Sequence, residues 1–336
     1  MNILVTGGTG FIGSHTVVAL AEAGFRPVLV DDFSNSQASV LDGLASIIGE
    51  KPTFYREDCN NYAALCRILK EEKIGGVIHF AASKAVGESM QQPLKYYDNN
   101  LGSLVTVLRA MRSEGVPNLI FSSSCTVYGE PEKLPVTEET PVQPASSVYG
   151  NTKQIGEEIL RDVAAADPTV RIISLRYFNP IGAHPSAHIG ELPLGVPGNL
   201  VPFITQTAIG TRPSLTIFGN DYPTSDGTCV RDYIHVVDLA EAHVAALQNL
   251  AAASSATTNY QVFNVGTGQG NTVLELVKTF EEVSGQPLNY KIGPRRPGDI
   301  SAVYADATKV RTGLGWTAKR SLREALADAW RWQQSL

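Results

Sequence analysis

Only four cysteines occur in 336 residues, at 59, 66, 125 and 229, and no two form a CxxC pair. That spacing argues against a disulfide-stapled scaffold and favours reduced thiols in a cytoplasmic setting. Histidine is scarce too. Of six in all, His184 and His188 stand four apart, but Pro185 lies between them and no HExxH frame surrounds them. No metal site is expected. No stretch reaches the roughly 18 apolar residues of a membrane span. The opening Met1-Asn2-Ile3-Leu4-Val5 lacks the basic start and longer apolar run of a secretory leader. Positive charge is in deficit: 27 Lys and Arg against 33 Asp and Glu leave a net charge of −6. Such a chain has no electrostatic bias toward nucleic acid or an anionic membrane. An anionic small substrate would need a local cluster of cations. Internal repeats are also missing, and residues 251–256 read at most as a small loop.

What is present is ordinary globular composition, 43% hydrophobic and 18% charged. The length suits one large α/β domain with a smaller companion. Apolar runs alternate with helical patterns through the first half. Strands are expected at 2–6, 27–30, 53–56, 77–80, 119–122 and 171–176, and helices at 15–23, 62–72, 97–114 and 148–166. That rhythm predicts a doubly wound parallel sheet of Rossmann type. After Phe178 prolines and glycines cluster, and loops of that length are usually functional. The expected division is a dinucleotide-binding domain over 1–180, with 233–266 returning to it as a helix at 234–247 and a strand at 262–265, and a smaller mixed α/β domain from 181–232 and 267–336.

Thr6-Gly7-Gly8-Thr9-Gly10-Phe11-Ile12-Gly13 joins the first strand to the first helix. Small residues there let a backbone approach a pyrophosphate, and the helix start supplies N–H donors and positive potential. Asp31 ends the second strand, 18 residues after Gly13, where a carboxylate accepts from an adenosine ribose. With Asp32 beside it, a 2′-phosphate is repelled, so NAD is favoured over NADP. Asp58, after the third strand, is a candidate adenine contact. Further on, Tyr149-Gly150-Asn151-Thr152-Lys153 puts a phenol and an ammonium on one helical face. A phenol with pKa near 10 is a poor base at neutral pH, and an adjacent cation would stabilise its phenolate. The bland alternative is a surface pair. Ser122-Ser123-Ser124 follows the fifth strand, at the strand ends where ligands of this fold sit.

The glycine loop, Ser122-Ser123-Ser124-Cys125-Thr126-Val127-Tyr128-Gly129, the Tyr149/Lys153 pair and Arg176-Tyr177-Phe178-Asn179-Pro180 together resemble the extended short-chain dehydrogenase/reductase family. Lys84-Ala85-Val86-Gly87-Glu88-Ser89, Gly219-Asn220-Asp221-Tyr222-Pro223-Thr224 and Val230-Arg231-Asp232-Tyr233-Ile234-His235-Val236 narrow the resemblance to its UDP-hexose 4-epimerases, over essentially the whole chain. The resemblance implies a redox-neutral cycle on tightly held NAD, with a transient 4-keto sugar. Tyr149 would exchange the proton of the 4′-hydroxyl, Ser124 would orient and relay, and Lys153 would lower the phenol pKa and bind the nicotinamide ribose. It further implies cofactor contacts from Gly7, Gly10, Phe11, Ile12, Gly13, Asp31, Asn35 and Asp58. Phe80, Lys84, Asn99 and Phe178 would complete them.

For the UDP-sugar the resemblance implies cations at Arg231 and Arg296, Phe218 stacked on uracil and Asp299 on the uridine ribose. Asn179, Asn199, Leu200 and Tyr233 would line the cleft. Position 303 matches a gate that is tyrosine in epimerases confined to glucose and galactose and small in permissive ones. Val303 would therefore admit N-acetyl sugars, unless it packs into the core and Tyr304 closes the pocket instead. A two-fold homodimer through the helices at 97–114 and 148–166 is also implied, their apolar surplus being Leu101, Leu104, Leu108, Ile155, Ile159 and Val163. Two rivals remain. A 4,6-dehydratase would carry an Asp-Glu pair where Cys125 and Thr126 stand. A non-catalytic NAD sensor would typically lack the tyrosine-lysine pair.

Overall fold

The computed structural model describes residues 1–252, 258–296 and 298–336. From the N-terminus the chain runs β1 (Asn2–Thr6), α1 (Phe11–Glu22), β2 (Arg26–Asp31), α2 (Ser39–Ile48), β3 (Thr53–Arg56), α3 (Tyr62–Glu71) and β4 (Ile74–His79). A short α4 (Val86–Gln91) leads to α5 (Pro93–Glu114), β5 (Asn118–Ser124), a 3-10 turn (Cys125–Tyr128), α6 (Val148–Ala166) and β6 (Arg171–Tyr177). Next come β7 (Asn179–Ile181), α7 (Leu200–Ala208), β8 (Leu215–Phe218), β9 (Val230–Arg231), β10 (Tyr233–His235), α8 (Val236–Ala252) and β11 (Tyr260–Val265). The chain ends with β12 (Asn271–Thr272), α9 (Val273–Ser284), β13 (Tyr290–Gly293), β14 (Ala302–Val303), α10 (Thr308–Leu314) and α11 (Leu322–Ser335).

Seven strands pair in parallel in the order β11-β6-β5-β4-β1-β2-β3. This is the doubly wound arrangement; the seventh strand, β11, covers the strand expected at 262–265 and pairs with β6 at the edge. Period-2 alternation builds both faces. Ile3, Val5, Leu29, Ile78, Ile120 and Ile173 point to the side covered by α1, α2 and α8. Leu4, Val28, Val30, Val77, Leu119 and Ile172 point to the side covered by α3, α5 and α6. Full burial of one such side chain contributes about 1.5–3 kcal/mol, and all of these are under 2% exposed.

Several boundaries differ from the sequence reading. The first helix starts at Phe11 rather than at 15, because Gly10 is its N-cap and the glycine loop turns straight into it. The stretch 234–247, read as helical, opens as β10 and becomes helix only at Val236; β10 pairs with β7. α2 was not anticipated. The loop expected at 251–256 begins as the end of α8 and otherwise lies outside the described residues, as does Pro297. The apolar surplus on α5 and α6 is smaller than it looked: Leu104 and Leu108 are core, and Ile159 and Val163 pack against it.

The second unit has its own core, where Ile204, Leu215, Ile217, Leu276, Phe280 and Leu326 meet. Mixed pairing places β9 between antiparallel β12 and parallel β14. Capping boxes start α9 (Thr272, Glu275) and α11 (Ser321, Glu324), each satisfying orphan N–H groups. Asp232 ties this unit to the sheet. It has no exposure and accepts from the Thr267 N–H and hydroxyl, the Gly268 N–H and the Ala305 N–H.

Three buried imidazoles add a pH dependence. Burial pushes His15 and His79 down to about 3 and His243 to about 4, from 6.5. Below pH 6.5 the unfolded chain takes up protons that the folded chain refuses, so stability falls as pH drops from about 6.5 toward 4. Each group contributes a slope of at most about 1.4 kcal/mol per pH unit. Urea unfolding between pH 7 and 4 should show this loss, and His243→Phe should make the slope shallower by close to one proton. An unchanged slope in that variant would disprove the assignment.

Candidate active site

The strand order reverses between β1 and β4, the point at which open α/β sheets bind ligands. There the backbones are crowded. Gly7 has φ +67°, and a Cβ on it would lie 2.9 Å from the Ala81 nitrogen. A Cβ on Gly13 would lie 2.2 Å from the Gly7 carbonyl oxygen. Glycine is the residue that fits both positions. Thr6 Oγ1 and His79 Nδ1 meet at 2.8 Å across the switch point.

α1 has no side-chain cap at Gly10 and no acidic residue in its first turn. Its N–H groups and positive end are thus left for an anion, beside Phe11, Ile12 and Gly13. The Asp31 carboxylate closes the other end. Its oxygens accept from the Thr9 N–H at 3.1 Å, the Phe33 N–H at 3.0 Å and the Ser36 hydroxyl at 3.1 Å. Phe33 is held at φ 63°, a strained conformation for a bulky residue. These features fit a dinucleotide: a glycine cradle, an uncapped helix start and a carboxylate at a strand end. Asp32, Asn35 and Asp58 are exposed at the rim. Phe80 packs on His243 at 4.7 Å, and Asn99 Nδ2 donates to Asn100 Oδ1 at 3.0 Å. Lys84 instead reaches toward Glu191, with its Nζ 3.2 Å from Oε1.

Tyr149 lies in the first turn of α6, which Ser147 caps by accepting from the Gly150 N–H. Lys153 follows one turn later, almost fully buried. Its ammonium donates to the Ser122 carbonyl at 2.7 Å and lies 4.9 Å from the Phe121 ring centroid and 5.8 Å from that of Tyr149. Ser124 ends β5, and its hydroxyl accepts from the Thr126 N–H. The phenol, ammonium and serine expected from sequence therefore meet at one strand end. Burial pushes the Tyr149 phenol up, with the Tyr177 phenol adding to this, and the hydrogen bond from Ser124 pulls only partly the other way. Burial also pushes the Lys153 ammonium down to about 8, against the pull of Glu157.

Residues that the sequence reading missed hold this helix in place. Glu157 is one turn beyond Lys153 and 3% exposed. Its carboxylate accepts from the Ser123 hydroxyl at 2.5 Å and from Arg176 Nε and Nη2 at 2.9 and 2.6 Å. Arg176 also donates to the Tyr128 hydroxyl, which donates to Asn264 on β11. The available signal was the i+4 spacing from Lys153 and the arginine opening Arg176-Tyr177-Phe178-Asn179-Pro180.

The expected substrate side chains gather beyond the end of β9. Arg296 pairs with Asp299 at 2.8 Å and stands 5.8 Å from the Phe218 ring centroid. Arg231 approaches the same carboxylate at 3.9 Å. They form a local cluster of cations in an acidic chain, of the kind a diphosphate requires. Asn179 begins β7, its N–H bonded to the Asp232 carbonyl, and Tyr233 is buried beside it on β10. Asn199 precedes α7 and Leu200 starts it. Val303 pairs in register with Arg231 and is buried with Val127, Tyr128 and Phe178, with Cys125 packed against the group. Tyr304 turns the other way, toward Gly270.

A family model described as GDP-mannose 4,6 dehydratase matches residues 4–329. The UDP-glucose 4-epimerase of Yersinia pestis is 51% identical over 333 residues, 99% of this chain and 97% of that protein. Among solved structures, the UDP-glucose 4-epimerase from Stenotrophomonas maltophila, with bound NAD and formylated UDP-arabinopyranose, superposes with TM-score 0.96 at 46% identity, covering 100% of this chain and 98% of that one. The Bifidobacterium longum enzyme in complex with NAD+ and UDP gives 0.95 at 46%, with the same coverage.

The Glu157–Arg176 pair generates a stability prediction. Arg176→Met leaves a carboxylate buried without its cation, which costs about 3–5 kcal/mol. Denaturant unfolding should show a loss of that size. A loss under about 1 kcal/mol, typical of a surface ion pair, would contradict the assignment.

Proposed function

The chain belongs to the UDP-glucose 4-epimerase family, and we propose that its reaction is carried by Tyr149, Ser124 and Lys153 at the end of β5. Its activity is NAD-dependent inversion at C4 of a UDP-hexose. The observation that carries the residue assignment is the convergence of that phenol, hydroxyl and buried ammonium where the strand order leaves a ligand crevice. NAD, held by the glycine loop and Asp31, would supply the hydride acceptor and donor that the side chains lack. Tyr149 takes the proton of the 4′-hydroxyl and gives it back. Ser124, hydrogen-bonded to the phenol, orients that hydroxyl and relays the proton. The Lys153 ammonium and the positive end of α6 favour the phenolate, against the burial that opposes it. Gly7, Gly10, Gly13 and Asp31 hold the dinucleotide. Arg231, Arg296, Asp299 and Phe218 hold the UDP moiety.

The dehydratase description of the family model does not extend to the chemistry here. A 4,6-elimination needs a carboxyl acid and base after Ser124. Here burial pushes the Cys125 thiol up to about 12, and Thr126 offers a hydroxyl that is buried without a partner. The division of labour between a dinucleotide-binding unit (1–180 with 233–266) and a nucleotide-sugar unit (181–232 and 267–336) belongs to the same reading. So do a cytoplasmic setting and a two-fold homodimer through α5 and α6. Half-buried Leu101 and Ile155 and exposed Val105 support the dimer.

Substrate breadth follows from Val303. Val303 is 3% exposed and packs into a core cluster with Phe178 and Cys125, the sequence neighbours of Asn179 and Ser124, and that cluster is read as the inner wall of the catalytic end. Tyr304 lies on the far side of β14. A small residue in that wall leaves room for an N-acetyl group as the keto sugar turns. The enzyme is therefore read as acting on UDP-GlcNAc and UDP-GalNAc as well as UDP-glucose and UDP-galactose.

Tyr149→Phe should keep the fold and the dinucleotide yet lose epimerisation by about 10³-fold or more, read by resolving the products of UDP-galactose without added cofactor. Near-normal turnover would sink the assignment. NAD or NADH should co-purify, because a cycle that returns its hydride gains nothing by releasing it. Protein that regains full activity only with NADP would contradict this. Val303→Tyr should abolish turnover of UDP-GalNAc and spare UDP-galactose. Wild-type protein that converts UDP-galactose but leaves UDP-GalNAc untouched would refute the gate.

A further inference from the structure

A single oxygen, Glu191 Oε1, accepts from Lys84 Nζ at 3.2 Å and from Asn199 Nδ2 at 2.5 Å. Lys84 lies in the loop between β4 and α4, at the dinucleotide end of the cleft. Asn199 lies just before α7, at the nucleotide-sugar end. Although Asn199 occupies the N-cap position of α7, its side chain makes no cap hydrogen bond there. Its amide is given to Glu191 instead.

Glu191 is the fixed member of the three. Its side chain is 12% exposed, against 45% for Lys84. Its backbone carbonyl accepts from Trp332 Nε1 at 3.1 Å. The preceding residue, Gly190, bridges Ala183 and lies so close to the Trp332 ring that a Cβ there would meet Cδ1 at 2.4 Å. A carboxylate seated this firmly, with a charged and a neutral donor on one oxygen, ties together two loops that share no other hydrogen bond of this kind.

We propose that Glu191 is a positioning residue that couples the two ends of the cleft: by cross-tying Lys84 and Asn199 it makes a bound sugar nucleotide slow the loss of the dinucleotide. The inference rests on reading Lys84 as a cofactor-side residue and Asn199 as a substrate-side one. A ligand that orders either loop pre-orders the other through the shared carboxylate, and such coupling is reciprocal. Loss of the tie therefore weakens each ligand's effect on the other, beyond any change in its own affinity.

The test uses the purified holoenzyme, with UDP as the probe. The rate of dinucleotide loss is followed by fluorescence with and without saturating UDP, and UDP affinity is measured by calorimetry. In the wild type, UDP should slow dinucleotide loss by about fivefold or more. Glu191→Ala should bring that ratio to within about twofold of one and weaken UDP binding about tenfold. Glu191→Gln, which keeps the acceptor without the charge, should fall between. A merely structural glutamate would speed dinucleotide loss equally with and without UDP. An unchanged ratio in Glu191→Ala, or a wild-type ratio of one, overturns the proposal. Lys84→Ala and Asn199→Ala separate its failure from that of the underlying reading. If the reading holds and only the coupling fails, Lys84→Ala still speeds dinucleotide loss and Asn199→Ala still weakens UDP. If neither variant changes its own ligand, reading and coupling fall together.

Discussion

A glutamate that is almost wholly buried must find its counter-charge inside the protein, and Glu157 finds it in Arg176 on the neighbouring strand. The face of α6 that carries Tyr149 and Lys153 depends on that constraint. With the Glu157 carboxylate fixed to Ser123 on β5 and Arg176 on β6, the helix can neither slide nor rotate without stranding a charge in a low-dielectric interior. Lys153 and Tyr149 lie one and two turns back along the same face, so the ion pair also fixes them against the end of β5. Specificity of position, rather than net stability, is what a buried pair of this kind contributes here.

The second unit is anchored by the same physics. Asp232 has its carboxylate surrounded by N–H and hydroxyl donors from the 267–268 turn and from Ala305, although burial raises its pKa. Arg231 precedes it and Tyr233 follows it. The donors that satisfy Asp232 therefore set where the Arg231 guanidinium and the Tyr233 phenol, the proposed diphosphate and cleft contacts, are carried. An acidic chain with a net charge of −6 confines cations where they are needed, with Arg231 and Arg296 sharing Asp299 beside an exposed Phe218. Sharing a carboxylate keeps both guanidinium groups oriented without neutralising both.

The phenol proposed to react, Tyr149, stands in surroundings that oppose its ionisation. Burial raises it, while one hydrogen bond from Ser124 and the start of α6 favour the phenolate. A dry pocket makes every charge that enters it count for more. The proton transfer proposed for Tyr149 would thus be tied to occupancy of the crevice, which suits a cycle whose keto intermediate must be kept from water.

The sequence by itself determined the architecture and the chemistry. Strict alternation in Ile3-Leu4-Val5 and Val28-Leu29-Val30 specified strands buried on both faces. The glycine loop with Asp31 specified a dinucleotide crevice, and Tyr149 with Lys153 specified one helical face. These are local facts, because side-chain period and backbone reach depend on neighbours in the chain. Tertiary structure decided what depends on distant partners. It recruited Glu157 and Arg176, it turned Lys84 toward Glu191, it placed Val303 rather than Tyr304 toward Cys125, and it set the burial that pushes the Tyr149 phenol up. Glu157 and Arg176 stand 19 residues apart and Lys84 and Glu191 107 apart, all beyond the reach of a helical or strand period, so no local spacing encodes these contacts. Desolvation is set by everything that packs around a group, and only the folded molecule supplies that.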